Sequence, residues 1–212
     1  IYMYDKDKKS FYEGNNGTKK WVKLKDISDN LIKATIYSED KNFYKHNGFD
    51  IPRIVKSLFI NIKNSDLTQG ASTITQQYAR NLFLTFDKTW ERKLKEAWYA
   101  FKIETNYSKE EILEGYLNTI NYGNGILGIE NASRYYFNKS AKELSLAEAT
   151  MLAGIPKSPN NYSPLNDENS AKKRQKQIIN ILVKNNVINE KTAKETINTN
   201  LTYTGKKENL NL

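Results

Sequence analysis

The sequence predicts a mainly α-helical protein with one substantial core. Three observations lead there. Apolar residues recur at three- and four-residue spacing along most of the chain, Ser-x-x-Glu capping boxes open two of those stretches, and β-prone runs are confined to the start. The 212 residues suffice for one large lobe with a smaller one beside it.

Residues 1–25 read as an extended lead-in, with β-prone Ile1–Tyr4 and Trp21–Leu24 separated by charged and Gly/Asn-rich turns. Ser28 then stands where it can cap a helix carrying Leu31, Ile32, Ala34 and Thr35. Asp50 ahead of Ile51-Pro52 is a second start signal, and Ile51, Ile54, Val55, Leu58 and Ile62 predict one buried face. A loop with Gly70 leads to a segment holding Ile74, Tyr78 and Leu82. Thr89 can cap the next helix, where Leu94, Ala97, Trp98 and Phe101 form one stripe. Capping boxes Ser108/Glu111 and Ser145/Glu148 open two more helices, the first bearing Ile112, Leu113, Tyr116 and Leu117, the second stopping at Gly154 before Pro156. Gly123, Gly125 and Gly128 mark the connection between them. A loop over 157–170 precedes a basic helix with Ile178, Ile181 and Leu182, and residues 199–212 form a polar linker or tail.

Composition narrows function only in part. Without cysteine there are no disulfides and no thiolate metal sites, and no run of 18 apolar residues spans a bilayer. The formal charge of +9 suits nucleic acid, an anionic membrane or a phosphate-bearing substrate, as well as a solvated lysine-rich surface. Because the chain starts at Ile1, we expect a piece of a longer protein with a membrane anchor upstream.

The residues that carry chemistry fall in five segments. They are Glu39-Asp40-Lys41-Asn42-Phe43-Tyr44-Lys45-His46-Asn47-Gly48-Phe49-Asp50; Gly70-Ala71-Ser72-Thr73-Ile74-Thr75-Gln76-Gln77; Arg92-Lys93 with Glu96; Ile112 to Asn118 running into Gly123–Gly128; and Leu144–Ala149 followed by Leu152–Pro156. In this order and spacing they closely resemble the peptidoglycan glycosyltransferase family, found as single-function enzymes and as the N-terminal domains of class A penicillin-binding proteins. The resemblance runs from about Asp26 to Pro164.

It implies a lysozyme-like helical lobe over 26–198 with a smaller membrane-facing jaw at roughly 51–90. It also implies the polymerisation of lipid II into glycan with release of undecaprenyl diphosphate. By motif, Glu39 matches the catalytic base and Glu96 a second catalytic carboxylate. Asp40, Ser72, Gln76, Gln77, Arg80, Lys88, Arg92, Lys93, Asn118 and Gly125 match substrate-binding positions, with Phe43, His46 and Asp50 supporting the site. The implied partners are lipid II, the growing lipid-linked glycan and the bacterial membrane, with a transpeptidase domain following in the parent protein and no nucleic acid. The implied location is the outer face of the cytoplasmic membrane. No cofactor is required, although Glu96 with substrate diphosphate could hold Mg²⁺ or Mn²⁺.

The residue chemistry agrees. A sugar hydroxyl attacking an anomeric carbon needs a base, which a carboxylate supplies. A diphosphate leaving group needs positive charge where its own charge develops. Arg92 and Lys93 precede Glu96 by four and three residues, so all three share a helical face. Taken alone, such a trio is most often a solvated surface group; the surrounding motifs change its meaning. His46, the only histidine, suits a structural hydrogen bond near Glu39 and Asp50 rather than a metal site. Gly123–Gly128 matches G-x-G-x-x-G, but a capped helix rather than a strand precedes it, so it reads as a turn. Ser38–Lys41 and Ser170–Lys173 match S-x-x-K without the companion penicillin-site motifs. Leu82, Phe83 and Phe86 are expected to dip into the bilayer. Two other functions compete: a muramidase, which leaves the Arg/Lys cluster without a purpose, and a basic nucleic-acid-binding domain, for which no recognition motif is present.

Overall fold

Local signals in the chain decide most helix starts. The computed structural model describes residues 2–4, 10–13, 20–55, 72–83 and 90–205. Leu58, Ile62, Gly70, Phe86, Lys88 and Thr89 lie outside the described residues, and so does much of the span expected to form the jaw. Two short strands, β1 (Tyr2–Tyr4) and β2 (Ser10–Glu13), pair antiparallel. The other elements among the described residues are helical, as the periodicity predicts. The helices are α1 (Asp29–Glu39), a turn over 51–55, α2 (Ile74–Phe83), α3 (Trp90–Asn106) and α4 (Lys109–Thr119). They continue with α5 (Ile129–Phe137), α6 (Leu146–Gly154), α7 (Pro159–Tyr162), α8 (Glu168–Lys184) and α9 (Glu190–Ile197).

Both capping boxes form. Ser108 Oγ accepts from Glu111 N while the Glu111 carboxylate accepts from Ser108 N at 2.8 Å, and Ser145 with Glu148 repeats the exchange. A third box, Ser140 with Glu143, opens a short 3-10 turn that the apolar periodicity does not reveal. Ser28 departs from expectation: it sits at the N-cap of α1, but its hydroxyl donates to Leu144 O at 2.8 Å. Its capping capacity is spent on tying α1 to the approach to α6. As expected, α6 ends at Gly154. The backbone tightens into a 3-10 turn over Ile155–Lys157, whose first turn tolerates Pro156.

The core centres on α6, where every residue from Ala147 to Gly154 is buried. Helices α1 and α8 pack against it, and α2 packs against α3 and α4 nearby. Gly115 on α4 is what lets α2 approach, because a Cβ there would land on the Tyr78 ring. Gly128, with φ of +82°, opens α5 with its Cα facing the Asn118 carbonyl, where a Cβ would come within 2.6 Å.

Two apolar stripes face outward rather than inward. On α3 the buried residues are Glu96, Ala100 and Ile103, while Leu94, Trp98 and Phe101 are exposed by 71%, 58% and 50%. Over 51–55, Ile51 and Val55 are exposed and Arg53 turns toward α1. In both places a charged residue, Glu96 or Arg53, takes an inward position and the larger apolar side chains lie outside.

The end of the lead-in, residues 21–24, is held against α4. Glu114 accepts from Trp21 Nε1 and Leu24 N at 2.8 Å each, and Asn118 bonds both Val22 N and Val22 O. At the other end, Thr204 N donates to Tyr136 O at 2.9 Å and Tyr203 packs on Phe137. Leu201 and Tyr203, within this polar run, both pack on the core.

Candidate active site

Glu39 is the last residue of α1, and the chain turns away at Asp40, whose backbone leaves helical geometry. The Asp40 side chain is fully buried and organises the loop after α1. It accepts from Ile74 N at 3.0 Å, placing an anion at the N-terminus of α2, and from His46 Nε2 at 2.9 Å. Phe43 lies beneath, with the His46 ring edge-on to it. Asp50 accepts from Asn42 Nδ2 at 2.9 Å and from Arg53 N at 3.0 Å, so it caps the turn over 51–55. Burial alone would raise the Asp50 carboxyl, but these hydrogen bonds hold it below the ordinary value. Phe43, His46 and Asp50 thus stand around the loop that aims Glu39.

The Glu39 carboxylate is gripped at both oxygens. Arg174 Nη2 donates to Oε1 at 3.1 Å, and Gln77 Nε2 donates to Oε2 at 3.2 Å. Arg53 donates to the Glu39 backbone carbonyl. Lys157 stands close enough to feel these charges: desolvation and the Arg174 guanidinium push its ammonium down, while Glu39 pulls it up.

A second cluster surrounds Glu96, whose side chain is fully buried. Arg92 Nη1 donates to one of its oxygens at 3.1 Å, and Arg80 approaches the same oxygen at 3.6 Å. Lys93 donates to the other oxygen and to Ser72 Oγ, the latter at 3.1 Å. Three cations on one carboxylate leave a surplus of positive charge. The Lys93 side chain is 43% exposed and Arg80 30%, so that surplus reaches solvent.

Helix α2 joins the clusters. Gln77 touches Glu39 and Arg80 touches Glu96, and residues three apart on a helix share a face. One turn of α2, about 5 Å of rise, therefore carries a contact to each carboxylate. Such an arrangement offers a carboxylate for proton transfer at one end and a cation-lined patch for a phosphate group at the other.

Other residues singled out in the sequence stand elsewhere. Gln76 is buried, and its side-chain oxygen accepts from Thr73 N at 3.1 Å at the start of α2. The Asn118 amide is engaged by Val22 and by Glu114 O. Gly125, at φ +70°, stands in the open part of the turn. Leu82 packs partly on the core, and Phe83 stacks on Tyr99 at 4.5 Å while remaining 37% exposed. Phe86 and Lys88 fall outside the described residues. The S-x-x-K serines have local duties: Ser38 Oγ donates to Thr35 O, and Ser170 caps α8 with Asp167.

Sequence patterning does not single out Arg53, Lys157, Arg174 or Tyr116 as site residues. A signal existed for Arg174. It lies three residues after Ala171 and four before Ile178, on the buried face of α8 rather than among its solvated lysines.

Among known proteins, a family model described as transglycosylase matches residues 7–183. Penicillin-binding protein 2D of Bacillus subtilis (strain 168) is 53% identical over 202 residues, which are 95% of this chain and 29% of that protein. Penicillin-binding protein 1A of Aquifex aeolicus (strain VF5) is 40% identical over 205 residues, 96% of this chain and 28% of that protein. The chain thus spans less than a third of the length of these relatives. A crystal structure of penicillin-binding protein 1A from Haemophilus influenzae superposes with a TM-score of 0.54 at 20% identity, over 89% of this chain and 18% of that one. At that identity the likeness shows a shared fold.

Proposed function

The chain belongs to the transglycosylase family as a peptidoglycan glycosyltransferase domain, and on that basis we propose that it polymerises lipid II with Glu39 as general base. An acceptor sugar hydroxyl attacks the anomeric carbon of the donor. Glu39 takes the hydroxyl proton as the new C–O bond forms and the bond to diphosphate breaks. The departing undecaprenyl diphosphate gathers its charge against Arg80, Arg92 and Lys93, which Glu96 holds in place. An α-linked donor becomes a β-linked product, as a single displacement requires.

The observation that carries this reading is the two-cluster arrangement along α2, with a carboxylate at one end and surplus positive charge at the other. A hydrolase acting between two carboxylates has no use for three cations on one of them. Among the described residues, the side chains alone form no cage for a resident Mg²⁺ or Mn²⁺, which leaves an ion shared between Glu96 and substrate diphosphate as a separate expectation. Both Glu96 oxygens are taken by cations, and among the described residues no group of three acidic, histidine or cysteine side chains converges.

By the same reading the protein works at the outer face of the bacterial cytoplasmic membrane, within a parent that also carries a transpeptidase domain. Among the described residues no helix is long and apolar enough to cross a membrane. The outward stripe of Leu94, Trp98 and Phe101 on α3, with Phe83 nearby on α2, supplies an apolar face for lipid contact.

Incubation with fluorescent lipid II in detergent, followed by gel separation, tests the reaction. Lysozyme-sensitive polymer is the expected product. Shortening of preformed glycan with no new polymer would replace this reading with the muramidase.

A further inference from the structure

The hydrogen bond from Gln77 to Glu39 does not end at Gln77. The other end of the same amide, Oε1, lies 3.1 Å from Tyr116 Oη. Tyr116 stands on α4 and is fully buried, so three elements converge in one line: Tyr116 on α4, Gln77 on α2, Glu39 at the end of α1. Resting on the assignment of Glu39 as base, we propose that Tyr116 is a positioning residue for the reaction, acting on Glu39 through the Gln77 amide.

Donor and acceptor matching sets the direction of each bond. An ionised carboxylate only accepts hydrogen bonds, so Gln77 must present Nε2 to Glu39. Its carbonyl oxygen then faces Tyr116, and the phenol must donate. Burial and the neighbouring Glu39 carboxylate both push the Tyr116 phenol well above its ordinary value, so the donating proton stays in place.

The hydroxyl also serves the step after proton transfer. Once the acceptor hydroxyl proton has moved to Glu39, the new carboxyl group is a donor. Turning the amide over presents Oε1 to Glu39 and Nε2 to Tyr116 Oη, which accepts as readily as it donates. No proton leaves the line; only the direction of its two hydrogen bonds reverses. A phenylalanine at 116 could serve neither state.

Other charges surround Glu39. Arg174 from α8, Lys157 from the turn after α6, Arg53 from the turn over 51–55, and Asp40 with His46 beyond α1 all face this region. Arg80 and Tyr122 add to the field at Tyr116. None is changed by Tyr116→Phe, so that variant reads the hydroxyl alone.

The test is a double-mutant cycle in lipid II polymerisation with Tyr116→Phe, Gln77→Met and the pair. Tyr116→Phe should lower kcat about ten-fold, less than the roughly 10²–10⁴-fold that the general base itself contributes, leave KM unchanged, and move the acid limb of the pH profile upward. In the Gln77→Met background it should cost nothing further, since its route to Glu39 is already cut. An equal loss in both backgrounds, or a raised KM with normal kcat, would overturn the relay. Should Tyr116→Phe fail to fold, Gln77→Met alone must still lower kcat and shift the acid limb, and wild-type behaviour there would overturn the relay as well. The parent reading is separated by Glu39→Gln: an inactive Glu39→Gln beside a normal Tyr116→Phe removes the relay only, whereas an active Glu39→Gln removes the base itself.

Discussion

Arg174 and Glu39 meet at 3.1 Å with side chains only 7% and 11% exposed, in a pocket where an unpartnered charge is costly. Replacing Arg174 by glutamine should destabilise the fold by about 3–5 kcal/mol at neutral pH. The loss should shrink in the Arg174→Gln/Glu39→Gln pair, where the amide at position 39 needs no cation. Urea unfolding of the single and double variants measures this, and an undiminished loss in the pair would contradict it. At this scale the sequence was informative where motif and spacing coincide. Glu39, Arg92, Lys93 and Glu96 could all be picked out, and the last three do form one cluster. Arg174 stood hidden behind Lys172 and Lys173, because a run of cations looks solvated until the helical period is applied. Tyr116 was legible as a core tyrosine, but its hydroxyl partner lies 39 residues away, beyond the reach of local patterning.

Capping boxes are read well from sequence because their energy is local. The Ser145 box also reaches beyond its helix: Lys139 donates to the Glu148 carboxylate at 2.7 Å. Burial would raise that carboxyl, yet the hydrogen bonds from Lys139 and Ser145 pull it below the ordinary value. A carboxyl lowered on folding stabilises the native state above its unfolded value, about 4.3, and loses that contribution as pH falls through the lower folded one. Stability should therefore decline in this acid window, and the decline should be shallower in Glu148→Gln; equal slopes in thermal melts would contradict this. Apolar stripes are read less well. Periodicity shows that α3 has an apolar face but not what the face meets, and Leu94, Trp98 and Phe101 meet solvent in the isolated chain. If that face contacts lipid, Trp98→Ser with Phe101→Ser should weaken binding to anionic vesicles about ten-fold or more, from the apolar area withdrawn. Unchanged vesicle binding would rule it out.

Across the whole molecule, the mainly α architecture follows from short-range signals that agree with one another. What could not be read is how distant segments meet. Glu39 and Glu96 belong to separate motifs, and their relation depends on α2, which Asp40 anchors at Ile74 and which packs between α3 and α4. The end of α1 explains why Arg53 in the turn over 51–55 faces inward while Ile51 and Val55 face out: Arg53 is drawn to Glu39 and Asp40. The proposed reaction stands or falls with Glu39 taking the proton from the attacking hydroxyl. The sharpest check is the initial rate of lipid II polymerisation by Glu39→Gln against the wild-type chain, with circular dichroism to show that both are folded. A general base at Glu39 predicts a folded variant whose rate is lower by about 10²–10⁴-fold, the range for loss of such a group. A folded Glu39→Gln that polymerises at the wild-type rate would contradict it.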